Sequence, residues 1–319
     1  MPDYACESSR TVLRFPVPPE CDGMRLKTFL RGWCGVSYRL VVRLKHVPMG
    51  MTMAGRLIRT IDPVRAGQVV ELRLPPDTKI AQPMGNGDLR VLFEDAHLLI
   101  VDKPAGMAVH PSAGREDNTL LGAAAAYRRQ HGEDGAFRPV GRLDRDTSGI
   151  MVLAKHSHAA HLLNGHVEKW YLAICLGELK GQQTIDLPLR VKEGHSIQRE
   201  VGEGGQRAVT HWQSLFVGGH KTLLGVRIET GRTHQIRAHM AHIGHPLAGD
   251  TMYGPHDRNG IGRHALHCGA VRLAHPVTGQ HICLTAPLPD DMRHLLEQMG
   301  ASSPEKVWRD FCRNLCQKE

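Results

Sequence analysis

The chain has 319 residues, of which 41% are hydrophobic and 23% charged. These values exclude wholesale disorder, and no apolar run is long enough to span a membrane. Lys and Arg exceed Asp and Glu by eight, and six of these excess positive charges fall within residues 1–75. Such a bias fits either a solvated basic face or a surface for a polyanion, and charge alone does not separate the two. Aromatic residues make up only 5% of the chain, which argues against a broad platform for stacking single-stranded bases.

The N-terminal quarter has the pattern of a small basic α+β domain. Apolar spacing over residues 25–44 predicts two short helices broken at residues 32–35, and residues 47–74 alternate short apolar pieces with glycines, as short strands and turns do. The first residues contain no apolar signal segment, so we expect a cytoplasmic protein. The predicted divisions are a first domain at 1–75, a Pro- and Gly-rich linker at 76–88 and a larger domain at 89–319.

The larger domain mixes strands and helices without strict alternation, which predicts one α+β domain with a mixed or antiparallel sheet. Strands are predicted at 98–101, 150–154, 171–176, 223–228, 265–273 and 281–284. Helices are predicted at 119–130, 157–167, 233–243, 290–299 and 305–316.

A first candidate site is the glycine-bounded turn at residues 141–149, directly before a buried strand. Arg142 and Arg145 flank Asp144 there, and charge pairing could keep this carboxylate ionised as a nucleophile or base. The alternative is a structural turn that only caps the strand, with its polar side chains bonded to nearby backbone.

A second candidate site is the start of the helix predicted at 233–243. His234, Arg237 and His239 lie beside its apolar stripe and could serve as donors to an anion or to a catalytic carboxylate. Four histidines in this region raise the question of a metal, but the only nearby carboxylate is Asp250 and no His-Glu-x-x-His pattern exists. We therefore expect no metal site. A third segment, 101–111, carries prolines and a glycine and predicts a bent loop, either a connector or a lining of the site.

In this order the segments resemble the RluA family of RNA pseudouridine synthases. The resemblance covers about residues 89–299, and residues 25–72 more loosely resemble the αL-type RNA-binding module that precedes many of these enzymes. Position 141 is Gly where the family usually has His. The matching stretches are GRLDRDTSGIMVLAK at 141–155, KWYLA at 169–173, TGRTHQIRAHMAHIGHPLAGDTMYG at 230–254 and ALHCGAVRLAHPVTG at 265–279.

The resemblance implies isomerisation of uridine to pseudouridine in ribosomal RNA, most of all of the large subunit, or in transfer RNA. The reaction cuts the N1–C1′ bond and joins C5 to C1′ without redox change, so no cofactor and no metal are expected. Asp144 would attack C1′ or remove a 2′ proton, and the sequence does not choose between these. Arg237 would pair with Asp144, Tyr171 would contact the uracil and act as the base at C5, and Arg142 would fill the gap left by the flipped uridine. The RNA contacts expected from the first domain are Arg25, Lys27, Arg39, Arg43 and Lys45.

Two other functions stay open at this point. A catalytically inert RNA-binding or ribosome-assembly factor of the same fold would bind RNA without exchange at C5, and a metal-dependent hydrolase would be stopped by a chelator. A monomer that does not bind membranes is the expected state.

Overall fold

The computed structural model describes residues 11–316 apart from 76, 78–79, 86, 112–117, 134 and 257–259, with the side chains of 314–316 excepted. Residues 1–10 of the predicted first domain and four residues of the predicted linker lie outside the described residues. Among the described residues, no helix combines the length and the apolar character that a membrane span requires.

The N-terminal part folds around its own antiparallel four-stranded sheet, with the strand order β1-β4-β2-β3. Its core includes Leu26, Phe29, Leu30 and Leu72, all fully buried. The two predicted helices are confirmed, and the second is capped by Ser37. The elements are β1 (Val12–Pro16), a 3₁₀ turn (Pro19–Cys21), α1 (Leu26–Thr28) continued by a π-helical segment (Phe29–Trp33), α2 (Tyr38–Leu44), β2 (Met51–Met53), β3 (Arg56–Leu57) and β4 (Val69–Arg73).

The rest of the chain is built on a ten-stranded sheet. Its main path has the order β10-β13-β14-β9-β15-β8-β6-β5, while β16 pairs with β15 and β7 pairs with β8. All pairs are antiparallel except β15 with β8, so the α+β fold class with a mixed, mostly antiparallel sheet is confirmed. The first elements are β5 (Arg90–Glu94), β6 (Leu98–Lys103), α3 (Leu120–Gln130), β7 (Arg138–Pro139), β8 (Ser148–Ala154), α4 (Ser157–Leu163) and β9 (Val167–Leu176). They are followed by β10 (Gln182–Asp186), β11 (Leu189–Val191), β12 (Arg199–Val201), β13 (Val209–Gly218), β14 (Lys221–Ile228), α5 (Gln235–His242), β15 (Leu266–Ala274), β16 (His281–Thr285), α6 (Asp290–Gln298) and α7 (Pro304–Cys316).

Strand β9 lies inside this sheet and is buried on both faces. Tyr171 and Ala173 point to the face that α5 covers, whereas Leu172 and Ile174 point to the face that α6 and α7 cover. Gly149 marks the parallel contact of β8 with β15, where a side chain would meet the carbonyl oxygen of Cys268 at 2.2 Å. The sequence therefore needs glycine at this point, directly after the turn that carries Asp144.

Two predictions about elements are wrong. The helix predicted at 157–167 ends at Leu163, because Gly165 adopts φ +80° and reverses the chain, so that Val167 already begins β9. Strands β10 to β13 were not predicted. Most side chains of β13 are only half-buried, so the ten-residue strand lacks the clear apolar alternation that marks a strand in a sequence.

Candidate active site

Asp144 lies in the loop between β7 and β8, at the floor of an open cavity of about 840 Å³. Its side chain is 15% exposed. The neighbouring Leu143 is buried in the core, and the amide of Thr147 donates to the Asp144 carbonyl at 3.1 Å. These contacts fix the backbone of the loop on both sides of the carboxylate.

Side chains from the start of β15 and from the segment before it brace the same loop. Thr147 Oγ1 and His264 Nε2 lie 2.8 Å apart, and Ser148 Oγ and His267 Nδ1 lie 2.9 Å apart, so each pair is hydrogen-bonded. Arg263 donates to the carbonyl of Asp146 at 3.0 Å. Burial lowers the pKa of His264 to about 4 and that of His267 to about 3, which keeps both rings neutral at physiological pH.

Lys103 joins the loop to the bent segment that follows β6. Its side chain is fully buried, and its ammonium donates to the carbonyls of Pro104 at 2.8 Å, Met107 at 2.8 Å and Arg145 at 3.0 Å. Burial lowers the pKa of Lys103 to about 7, although the nearby charge of Asp146 opposes this. The bent segment, a weak signal in the sequence alone, therefore supports the residue next to Asp144.

Arg237 projects from the first turn of α5 and contacts two carboxylates. Its Nη1 donates to Asp144 Oδ2 at 3.3 Å, while Nε and Nη2 donate to the two oxygens of Asp250 at 2.7 and 2.9 Å. Burial lowers the pKa of Arg237, but the bonds and charge of Asp250, followed by those of Asp144, outweigh this and raise it. Because two of its three carboxylate bonds, and the shorter ones, go to Asp250, Arg237 shares its charge between two carboxylates and orients Asp144 without fully neutralising it.

His234 is the second group beside Asp144. Its Nε2 lies 3.8 Å from Asp144 Oδ2, and its Nδ1 lies 3.1 Å from the hydroxyl of Tyr253. Its backbone is left-handed, with φ 55°, a strained conformation for a side chain other than glycine. Burial lowers the pKa of His234, against the charge of Asp144, so the ring is neutral near pH 7.

Tyr171 lines the same cavity from β9 and is 4% exposed. Burial, with Cys268 and Asp144 nearby, raises the pKa of Tyr171 well above its usual value. A tyrosine that acts as a base must first lose a phenol proton whose ordinary pKa is about 10, so a base at this position needs a site that favours the phenolate. The site instead stabilises the neutral phenol.

Arg142 and Gly141 lie at the edge of the cavity. Arg142 is exposed, and its Nη1 donates to Thr233 Oγ1 at 3.1 Å. Gly141 adopts φ +78°, and a Cβ at this position would lie 3.2 Å from Nζ of the buried Lys169. Glycine therefore adopts this backbone conformation without strain. The histidine that the family usually has at this position is absent from the edge of the cavity.

The structure brings Asp144, Tyr171, Arg237 and Arg142 to one cavity. Of the two interpretations of the turn, pairing of Asp144 with its flanking arginines is not found, because Arg142 bonds to Thr233 and Arg145 bonds to Asp146. The five basic residues predicted to contact RNA are exposed on the N-terminal part and do not line the cavity: Arg25, Lys27, Arg39, Arg43 and Lys45.

His239 does not reach the site. It is buried on the other side of α5, where its ring bonds to Thr210 Oγ1 and the carbonyl of Leu187. Asp250 is committed to Arg237, and no group of three or more potential metal ligands exists among the described residues.

The residues that sequence reasoning missed are the supports of the site rather than its centre. The sequence pattern marks Asp250 only as a candidate metal ligand and gives no signal for Arg263 or Tyr253. Lys103 and Asp250 are both buried, and charged side chains are almost never fully buried unless they are paired. This signal is absent from the sequence, because burial is known only once the fold is known.

Comparisons with known proteins agree with this fold. A family model described as RNA pseudouridylate synthase matches residues 97–242. The protein of Bacillus subtilis named uncharacterized RNA pseudouridine synthase YhcT is 42% identical over 217 residues, covering 66% of this chain and 72% of that protein. Ribosomal large subunit pseudouridine synthase D of Pseudomonas aeruginosa is 37% identical over 271 residues, covering 77% and 82%. The solved structure of Human RNA Pseudouridylate Synthase Domain Containing 1 matches with a TM-score of 0.53 at 22% identity, covering 69% of this chain and 98% of that one.

The fold is therefore that of a pseudouridylate synthase domain, which confirms the class that the motifs predict. A second Bacillus subtilis relative, uncharacterized RNA pseudouridine synthase YjbO, is 34% identical over 83% of this chain and 96% of its own length. The chain belongs to the RluA family of RNA pseudouridine synthases and is an isomerase.

Proposed function

We propose that this enzyme isomerises specific uridines of large-subunit ribosomal RNA and that Asp144 is its essential catalytic residue. The observation that carries the proposal is the position of Asp144, held by Arg237 at 3.3 Å on the floor of a cavity large enough for a nucleotide. The named function of the Pseudomonas aeruginosa relative supports the choice of RNA. Transfer RNA is the alternative substrate.

The proposed chemistry uses the charge that Arg237 leaves on Asp144. An oriented and incompletely neutralised carboxylate can attack C1′ or remove the 2′ proton while the N1–C1′ bond breaks. Asp250 leaves Asp144 this charge, because it accepts two bonds from the guanidinium of Arg237 and so balances part of its positive charge. No redox step occurs in either route.

Tyr171 is proposed to stand at C5 of the uracil. Because the raised pKa keeps its phenol neutral in the resting enzyme, the hydroxyl proton must leave before the C5 proton can be accepted. Arg142, at the exposed edge of the cavity, is proposed to occupy the gap left by the flipped uridine.

Release of tritium from RNA labelled at uridine C5 tests the role of Asp144. Asp144→Asn and Asp144→Ala should release none. Asp146→Asn should keep nearly full activity, because the hydrogen bonds of the Asp146 side chain among the described residues go to the exposed Arg145 and none goes to Asp144. A fully active Asp144→Asn enzyme contradicts the proposal.

The RNA target is tested by mapping pseudouridine in total RNA from a strain that lacks the gene. Sites lost from transfer RNA alone would favour the alternative substrate.

We propose that the domain at 1–75 binds RNA and that the domain at 89–319 carries out the reaction. The proposed location of the enzyme is the cytoplasm. Lys27 and Arg39 are exposed and free to contact phosphates. Replacing either by Ala should weaken RNA binding and reduce the slope of log affinity against log salt by about 0.7–0.9 for each phosphate that is no longer neutralised. An unchanged salt slope would make this surface a solvated basic face.

A further inference from the structure

The N-terminal part carries a narrow aromatic surface that the cavity does not explain. Trp33 and Tyr38 are 59% and 58% exposed, and they are the two aromatic side chains among the described residues that are more than half exposed. Both lie at the junction of the π-helical segment with α2. Exposed aromatic rings lose the free energy of burial, so a pair at one place indicates a binding surface.

The charge around this pair indicates an anionic partner. The guanidinium carbon of Arg31 lies 5.7 Å from the centre of the Tyr38 ring, and Arg31 and Arg39 are both exposed. Aromatic rings beside cationic side chains are the combination that binds unpaired nucleotides, because bases stack on the rings and phosphates pair with the cations.

The aromatic pair, Trp33 and Tyr38, lies close to the catalytic cavity. Between Trp33 and Tyr38, Gly35 packs directly on α4, and a Cβ on Gly35 would lie 2.8 Å from Leu162 Cδ2. The residues that follow Leu162, namely Leu163, Asn164 and Gly165, line the cavity of Asp144. A second contact joins the same two parts of the chain, since the Phe15 ring meets the His158 ring edge-on at 5.7 Å.

These contacts set how far the aromatic pair is from the cavity. Two residues of chain span at most about 7 Å, so Trp33 cannot be far from Gly35, nor Leu162 from the cavity wall. Trp33 and Tyr38 are therefore within reach of a nucleotide only a few positions along the strand from a uridine in the cavity.

We propose that Trp33 and Tyr38, with Arg31, form a stacking site for an unpaired nucleotide close to the target uridine. The proposal rests on RNA being the substrate, as proposed above. It adds a specific recognition element, since stacking needs an unpaired base and a duplex cannot supply one.

Tryptophan fluorescence tests this surface directly, because the other three tryptophans, Trp170, Trp212 and Trp308, are only 5–7% exposed. Titration of the full chain with a short oligouridylate should quench the emission of Trp33, and a duplex RNA of equal length should quench much less. Trp33→Ala should remove the quench and weaken oligouridylate binding roughly tenfold, with an unchanged salt slope because an indole neutralises no phosphate. Trp33→Phe should lose the signal but keep most of the affinity.

The matched control is Leu57→Ala, which removes an equally exposed apolar side chain, 63% exposed, from the same part of the chain and should change neither affinity nor signal. Equal quenching by duplex and single strand, or unchanged affinity in Trp33→Ala, overturns the stacking site. A concentration-dependent dimer that Trp33→Ala abolishes overturns it too, since the pair would then bind a second copy of this chain.

Tritium release separates this inference from the proposed function. If the stacking site is correct, Trp33→Ala raises KM for labelled ribosomal RNA and leaves kcat unchanged. If the wild-type enzyme releases tritium and Trp33→Ala has a normal KM, the stacking site is wrong and the function stands. If the wild-type enzyme releases none from any RNA, the function itself is wrong.

Discussion

Replacing Asp250 by Asn would test whether the second carboxylate sets the position of Arg237. Among the described residues, all partners of the Asp250 oxygens are donors: Oδ2 accepts from Arg237 Nε, and Oδ1 accepts from Arg237 Nη2 and the amides of Met252 and Tyr253. In Asp250→Asn, the amide nitrogen therefore faces a donor in either orientation of the side chain. The orientation that places the nitrogen at the position of Oδ2 costs less free energy, because only the bond from Arg237 Nε is lost.

The size of the effect follows from that orientation. One charge-assisted bond disappears, a buried N–H of Arg237 faces another donor, and the balancing charge is lost, which together cost about 2–4 kcal/mol of the free energy of unfolding. Arg237 should also shift toward Asp144, the carboxylate that remains. A displacement of this kind lowers kcat about a hundredfold, and KM should change little because Asp250 does not line the cavity.

Urea unfolding and steady-state tritium release measure the two effects separately. The control is Leu296→Ala, a core truncation on the opposite face of the sheet that should cost about 2–5 kcal/mol in stability. At a temperature where both variants are folded, Leu296→Ala should keep its kcat and Asp250→Asn should not. A wild-type kcat in Asp250→Asn would refute the idea that Asp250 positions Arg237.

Three further predictions concern Lys103, Gly141 and Tyr171. The pKa of Lys103 is lowered from 10.5 to about 7, so the unfolded chain binds more protons between these values and the free energy of unfolding should rise with pH across that window. In Lys103→Met this rise should disappear, about 2–4 kcal/mol of stability should be lost on urea unfolding, and a Met variant with the wild-type pH profile would contradict the assignment. Gly141→Ala should cost about 1–2 kcal/mol by the same measurement, because Ala is strained at φ +78°, while Gly141→Asn should cost less; equal stability of all three would show that the backbone conformation is wrong. If Tyr171 accepts the C5 proton, its raised pKa makes the single-turnover rate rise with pH from neutral toward 9 by up to about tenfold per pH unit, and a plateau near pH 7 would exclude a phenolate.

The sequence predicted the residues of the site better than their interactions. Motifs far apart in the chain located Asp144, Tyr171 and Arg237, and the fold brings all three to one cavity. The resemblance implies Arg237 as the partner of Asp144, and the structure has this bond, whereas the turn alone suggested the flanking arginines, which do not pair with Asp144. The bond from the Thr147 amide to the Asp144 carbonyl closes a tight turn in which Arg145 pairs with Asp146, while Asp144 bonds to Arg237, 93 residues further on.

The same distinction explains which parts of the fold could not be predicted. Strands such as β8 and β9, buried on both faces, appear in the sequence as continuous apolar runs, whereas β13, near the sheet edge, is largely half-buried and has no such run.

The number of positive charges can likewise be read from a sequence, but their position in the fold cannot. The basic residues of the first 75 positions are expected to contact RNA from the sequence, and the contact of Gly35 with Leu162 adds that the N-terminal part lies beside the cavity of Asp144. A basic surface next to a uridine site can act on the same RNA strand, and the aromatic pair beside Gly35 makes that arrangement testable at a single side chain.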